Sequence, residues 1–97
     1  MLNQFVLMGK MKKKLEIKEN NGERIGIMFL SIPKEYEKED SEHIVVEIIM
    51  YGNMIDNVKE YCEKGNLVGV KGRISALDNK TIIVAEKITF LSSRKDS

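Results

Sequence analysis

Several kinds of chemistry are shut out by what this chain lacks. It has no tryptophan, one cysteine, one proline and one histidine in 97 residues. With Cys62 alone there is no intrachain disulfide and no cysteine-based zinc site, so its thiol reads as a packed group and not a redox centre. A lone histidine, His43, cannot build a histidine triad or metal cluster, and its position at the head of an apolar run suits the surface. Gly65-Asn66-Leu67-Val68-Gly69-Val70-Lys71-Gly72 has glycines but neither the Gly-Lys-Ser/Thr ending nor the following helix of a phosphate-cradling loop. No catalytic residues, cofactor or bound metal are expected.

Net charge is missing too, at 16 Lys and Arg against 15 Asp and Glu. Any attraction for an acidic partner must therefore come from how the charges are distributed. Lys10, Lys12, Lys13, Lys14 and Lys18 form a basic stretch opposed by Glu16 and Glu19, whereas Glu35, Glu37, Glu39, Asp40 and Glu42 make Lys34 to Glu42 acidic. No apolar run approaches a membrane span, and Met1-Leu2-Asn3-Gln4-Phe5 has none of the parts of a secretory signal. A cytoplasmic protein with no membrane partner is the expectation. Apolar residues at 42% and charged residues at 32% fit one folded domain, small enough that an exposed apolar face would recruit a second subunit.

What is present is strand pattern. Phe5 to Glu19 reads as one long strand, with Gly9 as a bulge or bend that lets it serve both halves of a small barrel. Asn20-Asn21-Gly22 signals a hairpin turn. A second strand, Arg24 to Ile32, stops at Pro33, and a charged loop runs from Lys34 to Glu42. From Ile44 to Met50 a β-branched run makes a third strand, ending at Tyr51-Gly52. Helical spacing follows from Met54 to Glu63, with Gly65 placed as a C-cap glycine. Leu67 to Ala76 and Thr81 to Leu91 are two further strands around an Asp78-Asn79 turn. Five strands with one short helix between the third and fourth match the all-β OB-fold, a five-stranded Greek-key barrel. The domain is expected over residues 1–91, with 92–97 a short polar tail.

Such barrels commonly hold single-stranded nucleic acid on aromatic platforms flanked by lysine and arginine. If Ile44, Val46, Ile48 and Met50 face the core, Val45, Glu47, Ile49 and Tyr51 share the other face, which makes Tyr51 the first stacking candidate. Tyr36, in the charged loop, is the second. Phe5, Phe29, Tyr61 and Phe90 sit in apolar runs or on the helix and suit packing. Candidate phosphate contacts are Lys10 and Lys12 in the basic stretch, Lys34 after Pro33, and Lys71 and Arg73, which alternate along one strand.

The ordered series of these residues resembles the bacterial single-stranded DNA-binding protein family along nearly the whole chain. Met1 to Met11, Asn21-Gly22, Phe29-Leu30-Ser31-Ile32, Tyr51-Gly52, Tyr61, Lys64-Gly65, Val70, Gly72-Arg73-Ile74, Val84-Ala85-Glu86 and Phe90-Leu91 carry the likeness. It implies a nucleoid-associated, DNA-binding homo-oligomer, a tetramer or dimer, acting in replication, recombination or repair. Tyr51 falls on a stacking position, Tyr36 near another, and Lys10 and Arg73 on basic ones. The departures are Gln4 for an early arginine, Val45 for a strand-three tryptophan, Glu47 for a basic residue, and a turn shortened to Asp78-Asn79-Lys80. Ser92 to Ser97 lacks an acidic tip, so no tail-mediated recruitment of replication proteins is expected. The alternative is a degenerate OB-fold serving as a protein-interaction or primosome-type accessory subunit.

Overall fold

Two tight turns set the registers of the sheet. Asn21 and Gly22, with φ of 54° and 81°, join two strands, and Asp78 and Asn79, with φ of 50° and 64°, join two more. Paired positive φ values twist a two-residue loop with its strands, and Asn, Asp and Gly tolerate them. The computed structural model describes residues 3–33 and 42–91. Its strands are β1 (Phe5–Met11), β2 (Glu16–Asn20), β3 (Glu23–Pro33), β4 (His43–Tyr51), β5 (Leu67–Leu77) and β6 (Lys80–Phe90), with helix α1 (Asn53–Tyr61) between β4 and β5. They lie in the order β1-β5-β6-β4-β3-β2, and β1 also pairs with β3. That last pairing closes the barrel, and the fold is the OB-fold.

The expected first strand is in two pieces. Its break falls at Lys12–Leu15 and not at Gly9, which stays in the ladder opposite Val68. Leu15 is buried in the core while three exposed lysines precede it, so the chain bends there to bring Leu15 inward. Gly9 matters for a different reason. A Cβ at this position would run into the Ser31 carbonyl oxygen, with Ile32 Cγ1 at 3.0 Å and Leu30 Cγ at 3.1 Å. The missing side chain lets β1 lie against β3, where Lys10 pairs with Ser31 and Met11 with Leu30. At the other end, the Asn3 side-chain amide stands in for a strand partner. It donates to the Ile74 carbonyl at 2.7 Å and accepts from the Ile74 N–H at 3.1 Å.

The core holds Met11, Leu15, Met28, Leu30, Ile48, Met50, Val68 and Val70, plugged at one end by Ile55, Val58 and Cys62. Cys62 is thus a packed thiol. Helix α1 starts from Gly52 at φ 65° and ends sooner than its spacing suggested. Cys62 is already extended, its N–H donating to the Val58 carbonyl at 3.0 Å. Gly65, at φ 92°, is therefore not the helix cap. It turns the chain after the helix, and its N–H donates to the Met11 carbonyl at 2.8 Å.

Ile48 and Met50 face the core as their phase required, with Val46 against it. Ile44 does not, being 50% exposed opposite Ile32. Tyr36, Lys34 and the acidic loop up to residue 41 lie outside the described residues. Gly9→Ala should cost about 1–3 kcal/mol by overpacking backbone against backbone. Gly69→Ala should cost little, since the nearest atom to a Cβ there is 3.8 Å away. Urea unfolding midpoints of the two variants make the comparison.

Candidate nucleic-acid interface

The β3–β4 ladder presents a second apolar surface on its outer side. Residues directly opposite each other in an antiparallel pair share a face. The outward pairs are Ile25 with Tyr51, Ile27 with Ile49, Phe29 with Glu47 and Ser31 with Val45. Ile25, Ile27 and Ile49 are buried together, with Phe29, Tyr51 and Ile82 half-buried around them. Tyr51 therefore stands where the phase of its strand placed it, on a floor of isoleucines.

Lysines flank this stripe on the side of β1 and β2. Lys10 is opposite Ser31, and the Lys12 N–H donates to the Phe29 carbonyl at 2.8 Å. Glu16 and Lys18 are opposite Ile27 and Ile25. The Lys13 Nζ lies 4.1 Å from the centre of the Phe29 ring and 3.0 Å from Glu16 Oε2, while Lys18 approaches Glu16 Oε1 at 4.0 Å. Lys10 and Lys12 are thus brought beside the face that carries Tyr51.

Arg73 and Lys71 sit differently. Arg73 is across from Val84, itself across from Ile49, so it borders the stripe from the far side. Its Nε is 3.3 Å from Glu86 Oε2. The ladder shifts by one residue beside it, Lys71 pairing with Lys87 and Gly72 with Ala85, which leaves Glu86 as the extra residue. Lys71 lies between Val6 and Lys87, two strands away from β4. The structure therefore does not gather all the basic candidates on one patch.

Phe29 is the outer-face aromatic that phase reasoning missed. Its strand is apolar at both phases from Ile25 to Leu30, so alternation could not choose a side. Only the ladder assigns its side, since Phe29 lies opposite Glu47 on the outer face. Tyr61 and Phe90 pack against each other with ring centres 5.9 Å apart. The Glu60 carboxylate, by hydrogen bonding to the Tyr61 hydroxyl and repelling its phenolate, holds that pKa above the usual tyrosine value. A groove of about 500 Å³ between Leu15, Ile17 and Cys62 lies away from this face.

A family model described as the single-strand binding protein family matches residues 2–91. The chain belongs to that family. Single-stranded DNA-binding protein 2 of Clostridium acetobutylicum is 31% identical over 108 residues, covering 99% of this chain and 81% of that protein. Single-stranded DNA-binding protein 2 of Staphylococcus aureus strain COL is 29% identical over 109 residues, covering 100% and 78%. Among solved structures, a mitochondrial single-stranded DNA-binding protein of S. cerevisiae superimposes with TM-score 0.78 at 17% identity, over 96% of this chain and 97% of that one. A Plasmodium falciparum SSB in complex with single-stranded DNA gives 0.73 at 24%, over 95% and 96%. These likenesses bear out the fold. As a member of the single-strand binding family, this chain is a binding protein and not an enzyme.

Proposed function

We propose that this chain binds single-stranded DNA, without strong sequence preference, across the outer face of β3 and β4, in replication, recombination or repair. The observation that carries the reading is a lysine flank running beside an apolar stripe that ends in an aromatic. Stacking on Tyr51 holds bases through a π-face that every base has, and Lys10, Lys12 and Lys18 meet the phosphates. Arg73 joins from the far border by leaving Glu86, an exposed pair that contributes about 0–1 kcal/mol. Tyr36 remains a candidate on the strength of the family pattern, Lys34 by its place after Pro33, and Lys71 by its alternation with Arg73 along β5.

The protein works as a homo-oligomer, a dimer or tetramer. Val6, 76% exposed, shares the outer side of β1 with the exposed Met8, and Ile74 is exposed on neighbouring β5. Among the described residues, β1 meets β3 only at Lys10 and Met11, so its Phe5–Leu7 stretch offers an edge to a second copy. Among the same residues, no helix is long and apolar enough to cross a membrane.

A protein-binding role draws on Glu47 and Val45, which put a negative charge and a small side chain within the stripe. An oligonucleotide titration separates the two readings. Affinity for labelled oligo-dT should fall at least about twentyfold between about 50 and 200 mM salt if Lys10, Lys12 and Lys18 each neutralise a phosphate. Absence of binding at micromolar protein in low salt would favour the protein-binding role. Tyr51→Leu keeps the apolar packing and should lose about 1–3 kcal/mol of oligo-dT binding. Val6→Asp should lower the oligomer mass in light scattering at unchanged helix and strand content by circular dichroism.

A further inference from the structure

We infer that Phe29 is a second base-stacking platform and that Lys13 is its displaceable cover, moving from ring to phosphate when a nucleobase arrives. This rests on the single-stranded DNA reading above and adds to it a subsite for one nucleobase and its phosphate. The ring is half-buried against the outer isoleucine cluster, and Lys13 Nζ stands over it at 4.1 Å. That ammonium is the charged group placed over the ring among the described interactions, and its own side chain is 52% exposed.

A lysine whose side chain is itself half in solvent is held over a ring more weakly than a base stacked on an aromatic. Its second tie, to Glu16 at 3.0 Å, is between two solvent-accessible side chains and offers little resistance to movement. A base can therefore take the ring, and the freed ammonium remains beside the same nucleotide to meet its phosphate. The position suits this exchange. Phe29 is four residues along the sheet from the Ile25–Tyr51 pair, about 13 Å, so each ring takes its own base. Lys12 is hydrogen-bonded through its N–H to the Phe29 carbonyl, which puts a second cation at the same nucleotide.

The chain has no tryptophan, which makes a direct readout available. Phe29→Trp introduces a single tryptophan, excited selectively over the tyrosines, whose emission should be strongly quenched on adding oligo-dT, in step with binding followed by anisotropy of the labelled oligonucleotide. Phe90→Trp, in contact with Tyr61 away from this face, should be quenched little. Phe29→Leu, which retains apolar bulk, should weaken binding about tenfold at an unchanged unfolding midpoint. Lys13→Gln should lower the slope of log affinity against log salt by about 0.7, the share of one phosphate on a single strand. Wild-type binding with an unquenched Phe29→Trp, or with unaltered Phe29→Leu affinity, overturns the platform. An unchanged salt slope in Lys13→Gln overturns the exchange. No oligonucleotide binding by the wild type overturns the underlying reading instead.

Discussion

The antiparallel ladder between β3 and β4 is the constraint on which the rest of the molecule depends. Both of its faces are apolar. Inward, Met28 with Ile48 and Leu30 with Val46 contribute to the barrel core, while outward Ile27 with Ile49 and Ile25 with Tyr51 make the face proposed to bind. Side chains alternate with period two, so a slip of one residue would send each set to the wrong side. Register is thus set twice over, by the core and by the outer cluster. One consequence reaches function directly: Tyr51 and Phe29 stand on buried isoleucines, which restricts the freedom a ring would otherwise lose on stacking.

Charge is sorted by the same pairings. A nearly neutral chain has little long-range pull on a polyanion, so position must do what quantity does not. The bend that carries Leu15 into the core also sets Lys10, Lys12, Lys13 and Lys18 along the flank of β3, because β1 and β2 pair with that strand on either side of it. The described arginines are engaged elsewhere. Arg24 donates from Nη2 to both carboxylate oxygens of Asp56, at 3.1 and 3.0 Å, tying β3 to α1, and Arg73 pairs with Glu86. The flank is therefore made of lysines, compact charges on flexible stems that follow a phosphate chain without demanding a fixed geometry.

Much of the architecture was legible in the sequence because its signals were local. Asn21-Gly22 and Asp78-Asn79 need positive φ and have residues that accept it, and the helical spacing after Gly52 is unambiguous. The phase of β4 placed Ile48, Met50 and Tyr51 correctly. What was not legible depended on neighbours distant in sequence. Gly9 looked like a bend, yet its role is set by the Ser31 carbonyl, 22 positions away and invisible to any local window. Ile44 has the right phase for the core, yet it is half exposed although Ile32, opposite it, packs against the core. Phe29 could be placed only once β3 was registered against β4.

Glu47 gives the outer face a direction. It lies opposite Phe29 on β4, while the lysines lie on the other side of β3. A phosphate crossing near Glu47 meets a like charge, whereas one that follows the β1–β2 side meets cations, and at a protein surface that difference is felt over a few ångströms. In the proposed mode of binding, the backbone of a strand follows the lysine flank, with its bases turned inward over β3 and β4. Phe29, between the lysines and Glu47, lies directly under that path. Tyr51, at the far end of the stripe, receives a base only if the strand continues past Ile27 and Ile49. On that proposal the two rings are successive stations of one track, and the Glu47 carboxylate marks its edge.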